Sequence, residues 1–169
     1  MKSILGIDVG GRGAIAVLSP AGELRELFDM PVLADGPAGR KAVNAPLLAS
    51  LVWKSHAGHA FVEFVGARPG EGAVGAFAFG RARGVIEGAL GAAGIPATFL
   101  TPPTWKRAVG IAPGKVGAKD AARSEAIRRW PDKADLFARV KDDGRAEAAL
   151  IAVAGLLRIG AITGGEDGR

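Results

Sequence analysis

Asp8 closes the apolar run Ile4-Leu5-Gly6-Ile7, and Glu63 sits between Val62 and Phe64. Taking a carboxylate out of water costs several kcal/mol unless a partner compensates. Alternation along a strand puts Phe61, Glu63 and Val65 on one face. No basic residue stands beside Glu63 in that segment, and Arg68 is the nearest candidate partner. A third acidic source is Asp142-Asp143-Gly144-Arg145-Ala146-Glu147. Asp143 and Glu147 stand four apart and share a helix face. Asp142 lies roughly 140° around the same wheel from Glu147 and points elsewhere. The residues that follow, Ala148 to Ala154, are apolar. These acids therefore stand at the mouth of a buried helix, where its N-terminal turn tolerates negative charge.

Carboxylates from three distant segments converge only on something cationic. Hard oxygen ligands of this kind suit Mg²⁺ or Mn²⁺. A pair of such ions about 3.5–4 Å apart activates water and stabilises the leaving oxygen of a phosphodiester. Each acid also has a plainer role open to it. Asp143 could cap a helix, Asp8 could serve the turn at Gly10, and Glu63 could pair with an arginine. All three plainer roles must hold together to remove the site.

The elements that must position these acids follow from periodicity and turn chemistry. Ile4–Val9, Ala14–Leu18 and Glu23–Phe28 read as strands joined by short turns, an antiparallel meander. A Pro/Gly-rich stretch runs from Pro31 to Arg40, and a helix from about Ala45 to Lys54. Ala60–Val65 is a strand, residues 66–72 a Gly-rich loop, and about Ala73–Ala93 a helix ended by Gly94. Pro96–Leu100 is the fifth strand. A short helix opens at residues 101–104 and carries Trp105, Lys106 and Arg107. Further helices cover Gly117–Arg129 and about Asp143–Ile159. Meander strands followed by helix-connected strands predict one α/β domain, a five-stranded mixed sheet flanked by helices.

Charge points to a polyanionic partner. Residues 101–145 hold 11 of the 22 Lys and Arg but only 6 of the 17 acids, a local excess of 11 − 6 = +5 that accounts for the whole net charge of +5. Nucleic acid is the commonest partner for such a region, and the plainer alternative is a solvated helical surface. The chain has no cysteine, which excludes disulfides, thiolate zinc sites and a Cys nucleophile. His56 and His59 alone do not make a zinc site. No apolar run reaches the ~18 residues of a membrane helix, and the start of the chain lacks a signal peptide's apolar region. A soluble, cytoplasmic protein with no membrane contact is expected.

Several segments resemble the RuvC family of Holliday-junction resolvases, within the ribonuclease H-like superfamily. Gly6-Ile7-Asp8-Val9-Gly10 is similar to the family's first-strand motif, and Val62-Glu63 to its central-strand Glu. Gly80-Arg81-Ala82-Arg83-Gly84-Val85-Ile86 resembles its Gly-x-Ala-Arg-Gly-Val helix, and Gly94-Ile95-Pro96 the strand entry after it. Residues 104–110 with Ala118-Lys119 resemble the stretch in which two family lysines contact DNA. Asp143-Gly144-Arg145-Ala146-Glu147-Ala148 resembles the final motif of phage-type members. The resemblance implies Mg²⁺-dependent cleavage of branched DNA by a homodimer, with Mn²⁺ able to substitute. It implies metal ligation and catalysis by Asp8, Glu63, Asp143 and Glu147, and leaves Asp142 against Asp143 open. DNA contact falls to Arg68, Arg83, Lys106, Arg107 and Lys119. The helix over Ala73–Ala93 is the expected dimer face, with Val74, Phe77, Phe79, Val85, Ile86 and Leu90 as its apolar positions. Two alternatives within the fold are a ribonuclease H-type or RNA-processing nuclease, and a catalytically silent nucleic-acid-binding module. An actin-like ATPase would need a second phosphate loop, and the first motif has no second copy.

Overall fold

The computed structural model describes residues 2–35, 39–64, 66, 70–112 and 118–162, and at 118 and 119 the backbone alone. Strands β1 (Ile4–Asp8) and β2 (Ala14–Leu18) are buried at every position. They pair antiparallel, with Asp8 opposite Ala14. Strand β3 (Leu24–Asp29) continues the meander against β2. The Pro/Gly-rich stretch that follows holds an unexpected hairpin, β4 (Val32–Ala34) antiparallel to β5 (Lys41–Val43). Three residues on each side are too few for alternation to stand out in a sequence.

Helix α1 (Ala45–Lys54) starts at Asn44, whose side chain accepts the Leu47 N–H at 3.2 Å. Strand β6 (His59–Glu63) returns parallel to β1. Helix α2 (Ala73–Ala92) then crosses over to β7 (Ala97–Leu100), which lies parallel to β6. The main sheet has the order β3-β2-β1-β6-β7, so the five-stranded mixed sheet is as expected. Helices α3 (Pro102–Ala108), α4 (Ala118–Arg129) and α5 (Asp143–Arg158) follow among the described residues. Two 3-10 segments, Pro131–Phe137 and Val140–Asp142, bridge α4 and α5.

Strand alternation divides the core in two. Leu5, Ile7 and Val62 face α1 and α2, where Leu48, Val52, Ile86 and Leu90 complete one cluster. Ile4, Ala16 and Phe61 face the other way, onto α5 and the buried Trp105, Trp130 and Phe137. Helix α5 is buried almost throughout, from Ala146 to Leu156. It lies unusually close to the sheet. A Cβ on Gly6 would overlap the Ala148 carbonyl, and one on Gly155 would overlap the Phe61 ring.

Helix α2 presents fewer free apolar groups than its sequence offers. Ile86 and Leu90 are buried in the chain's own core, and Phe79 and Val85 pack partly against it. Val74 and Phe77 remain exposed, at 63% and 73%.

Gly6→Ala places a methyl group where β1 meets α5, with backbone as the obstacle. Overpacking of this kind costs about 1–3 kcal/mol, and more where backbone must move. Thermal denaturation is expected to show a clear loss of stability. A stability equal to the parent's would mean that α5 does not sit this close to β1.

Candidate metal centre

Parallel pairing sets the first two acids side by side. Gly6 lies opposite Phe61 and Ile7 opposite Val62, so one further step brings Asp8 beside Glu63 at the C-terminal ends of β1 and β6. Both strands stop there. Gly10 takes φ 128°, a backbone region open to glycine, and the Gly13 N–H donates to the Gly10 carbonyl at 3.0 Å. Glu63 thus ends its strand instead of sitting within it.

Helix α5 brings the third acid. Its first turn lies on the β1–β2 turn, where a Cβ on Gly144 would overlap the Arg12 carbonyl and fall 3.1 Å from Asp8 Oδ2. Glu147, one turn on, projects onto the same spot. Ligand oxygens of Asp8, Glu63 and Glu147 all lie within 4.8 Å of one another. Asp143 stands outside that trio, half-buried, with its Oδ1 accepting the Gly144 N–H at 3.1 Å. Its charge still reaches Asp8. Burial pushes the Asp8 carboxyl well above its ordinary range, and the charges of Glu63, Glu147 and Asp143 and a hydrogen bond with Glu63 push it further. Asp8 is only 9% exposed. Three oxygen donors in mutual repulsion, at a partly enclosed point, fit a hard divalent cation.

Two side chains of α3 touch this cluster. Trp105 Nε1 donates to Glu63 Oε1 at 3.1 Å. Lys106 Nζ lies 3.8 Å from Glu147 Oε1 and 5.1 Å from the Trp105 ring centroid. The Trp105 contact is the piece that sequence reasoning missed, having looked to Arg68 for a Glu63 partner. A signal existed: a buried indole N–H needs an acceptor, and Trp105 follows the end of β7, the strand beside Glu63.

Asp142 belongs to a different network. It is 2% exposed, and its carboxylate accepts the Arg139 backbone N–H at 3.0 Å and the Arg139 guanidinium at 2.8 Å. Arg145 lies 3.9 Å from it and forks onto Asp29 at 2.6 and 2.9 Å. This chain of ion pairs ties the start of α5 to the end of β3. The Asp142 carboxylate is taken up by Arg139 and approached by Arg145, and the trio of Asp8, Glu63 and Glu147 includes neither Asp142 nor Asp143.

The expected DNA-contacting residues scatter. Lys106 is beside the acids, and Arg107 is exposed on the same helix. Arg83 is held between the Phe64 and Phe99 rings, 4.8 and 4.7 Å from their centroids, and bonds Glu87 at 2.6 Å. Lys119 begins α4, with its side chain outside the described residues, and Arg68 lies outside them altogether. Much of the local positive charge is matched nearby. Arg123 pairs with Asp120, Arg128 and Arg129 with Glu125, and Arg139 with Asp142.

The sheet order, the α5 layer and the acids at the strand ends define a RuvC-type, ribonuclease H-like fold. Two solved structures share it across nearly the whole chain. One is described as T. thermophilus RuvC in complex with Holliday junction substrate, with a TM-score of 0.62 and 17% identity over 95% of this chain and 98% of that one. The other is a Thermus thermophilus RuvC structure, with a TM-score of 0.57 and 18% identity over 94% of this chain and 97% of that one. No family model and no curated protein matches the sequence. Among the described residues, no helix is long and apolar enough to cross a membrane.

The Arg139 guanidinium holds the Asp142 carboxyl below its ordinary range. A carboxyl depressed in the folded state adds stability above its unfolded value, near pH 4. That stability is lost as pH falls through the folded value. Asp142→Asn is expected to melt at a lower temperature at pH 7 and to lose less on acidification below about pH 4. Parallel pH curves for parent and variant would show that the pair carries no such linkage.

Proposed function

We propose that the 169 residues form one nuclease domain that cuts phosphodiester bonds in branched DNA, the Holliday junction or a related branch. Its cofactor is Mg²⁺, with Mn²⁺ as a substitute, and its setting is cytoplasmic DNA recombination and repair. The observation that carries this reading is the meeting of Asp8, Glu63 and Glu147 within 4.8 Å at the ends of two parallel strands. The likeness to a RuvC solved with a Holliday junction substrate supports the choice of DNA form.

A divalent cation at such a centre supplies charge to polarise a phosphodiester and to sharpen a water nucleophile. Asp8, Glu63 and Glu147 would hold it, and Asp143 would add negative charge nearby. Lys106, beside this centre, and Arg107, exposed on the same helix α3, draw in a phosphate backbone. Lys106 exchanges its long contact with Glu147 for a phosphate oxygen. Arg68 and Lys119 are proposed as further DNA contacts, and Arg83 contributes only if it leaves Glu87.

Asp8→Asn keeps the size of the side chain and removes its charge. Cleavage is expected to fall to background while junction binding persists or tightens, since one charge facing phosphate is gone. Four-way junction, flap, duplex and RNA–DNA hybrid compared side by side decide the substrate. Preferential cutting of the hybrid favours a ribonuclease H-type enzyme. Tight binding with no cutting in Mg²⁺ favours a silent module. Turnover in excess chelator contradicts the metal-dependent reading.

Paired nicks in a two-fold substrate call for two copies related by a C₂ axis. The exposed Val74 and Phe77 on α2 favour this helix as the contact. A Cβ on Gly80, Gly84 or Gly88 would meet nothing within 4 Å, so a partner helix has room to approach. Sedimentation is expected to give a species of twice the 17.2 kDa chain mass, shifted toward monomer by Phe77→Glu. A monomer that persists on junction DNA excludes paired incision.

A further inference from the structure

One seven-residue helix carries adjacent side chains to two different acids of the centre. Trp105 reaches Glu63, and Lys106 reaches Glu147. Their chemistry differs. Lys106 is partly exposed, and its ammonium is 3.8 Å from the carboxylate, a loose electrostatic contact. Trp105 is fully buried at 0% exposure, and its indole N–H makes a directed hydrogen bond of 3.1 Å.

A glutamate side chain has three rotatable bonds, and ordering them costs conformational entropy when a cation binds. The backbone around Glu63 is already fixed. Leu100 is its partner in β7, and the Phe64 N–H donates to the Leu100 carbonyl at 2.8 Å. The side chain is met from the other side, by a donor packed in the buried core. Trp105 belongs to the α5 side of the core, with Leu100, Val109 and Leu150 in the same cluster. An indole N–H on Oε1 still leaves Oε2, and one lone pair of Oε1, for a cation. The bond therefore orients the ligand without consuming it, as outer partners of metal ligands do.

We propose that Trp105 is a positioning residue of the acidic centre: its indole N–H holds Glu63 turned toward Asp8 and Glu147, so that a cation meets a preset site. This rests on the metal-binding reading of those three acids. The plain rival is a core tryptophan whose hydrogen bond is incidental. That rival expects Trp105→Phe to cost stability alone.

The test uses the whole chain without DNA and Mn²⁺ as the probe in titration calorimetry, with circular dichroism to establish that each variant is folded. Trp105→Phe keeps a ring in the core and deletes the donor. Its Mn²⁺ affinity is expected to fall about tenfold, the lower end for loss of an outer partner. Asp8→Asn is the control and is expected to abolish binding. Wild-type affinity in folded Trp105→Phe overturns the proposal while Asp8→Asn upholds the metal site. No Mn²⁺ binding by the wild type overturns both.

A second measurement needs no variant at that position. The wild-type indole N–H resonances of Trp53, Trp105 and Trp130 are followed in ¹⁵N NMR as Mg²⁺ is added. Trp53 is 66% exposed, and Trp130 donates to the Gly22 carbonyl at 3.1 Å, so both serve as internal references. Trp53→Phe and Trp130→Phe assign their own signals and leave the third to Trp105. The Trp105 signal alone is expected to shift and its exchange with solvent to slow. A Trp105 signal indifferent to saturating Mg²⁺ overturns the proposal.

Discussion

Helix α5 reaches Asp8 because position 6 carries no side chain. Gly6 lets the backbone of Ala148 rest on β1, and Ala152 continues the contact one turn later. Phe61 is seated where Gly155 leaves room for its ring. These close approaches fix the depth of the helix over the sheet, since packed interiors do not yield by an ångström cheaply. The height of Glu147 above Asp8 and Glu63 follows from them. Its rotation is set at the helix start, where Gly144 lies on the β1–β2 turn and Arg145 grips Asp29. The sheet alone brings two acids together, and the helix makes the site.

Among the described residues, like charges gather on Asp8, while Asp142 close by meets cations. Two like charges about 5 Å apart repel by roughly 3 kcal/mol at an effective dielectric of ~20. Asp8 feels Glu63, Glu147 and Asp143 at once, on top of its burial. Lys106, 3.8 Å from Glu147, offsets some of this. A few residues away, Asp142 has the guanidinium of Arg139 and the approach of Arg145. Two neighbouring acids thus have opposite fates: Asp142 is neutralised to hold the helix, and Asp143 adds to the charge that a cation would relieve.

The sequence carried most of this in its periodicities. The runs around Asp8 and Glu63 were enough to place each acid on a strand, and the helical spacing separated Asp142 from Glu147; that the two strands pair in parallel with the acids side by side came from the structure. The β4–β5 hairpin was hidden because each arm is three residues long. Sequence alone could not say that Glu147 joins Asp8 and Glu63 while Asp143 stands outside, because that depends on the depth and rotation of α5. Nor could it show that Arg83 spends its charge between two rings and on Glu87, or that the cations of α4 pair with acids of their own helix. Net charge counts cations. Pairing decides which are left for a phosphate backbone.

Diffraction from crystals soaked in Mn²⁺, recorded at a wavelength where manganese scatters anomalously, tests the acidic centre most directly. The structure predicts an anomalous peak bounded by Asp8, Glu63 and Glu147, absent from crystals of Asp8→Asn. A fully soaked crystal with no peak there, or with its ordered manganese elsewhere on the chain, would contradict the reading of these three carboxylates as a metal centre.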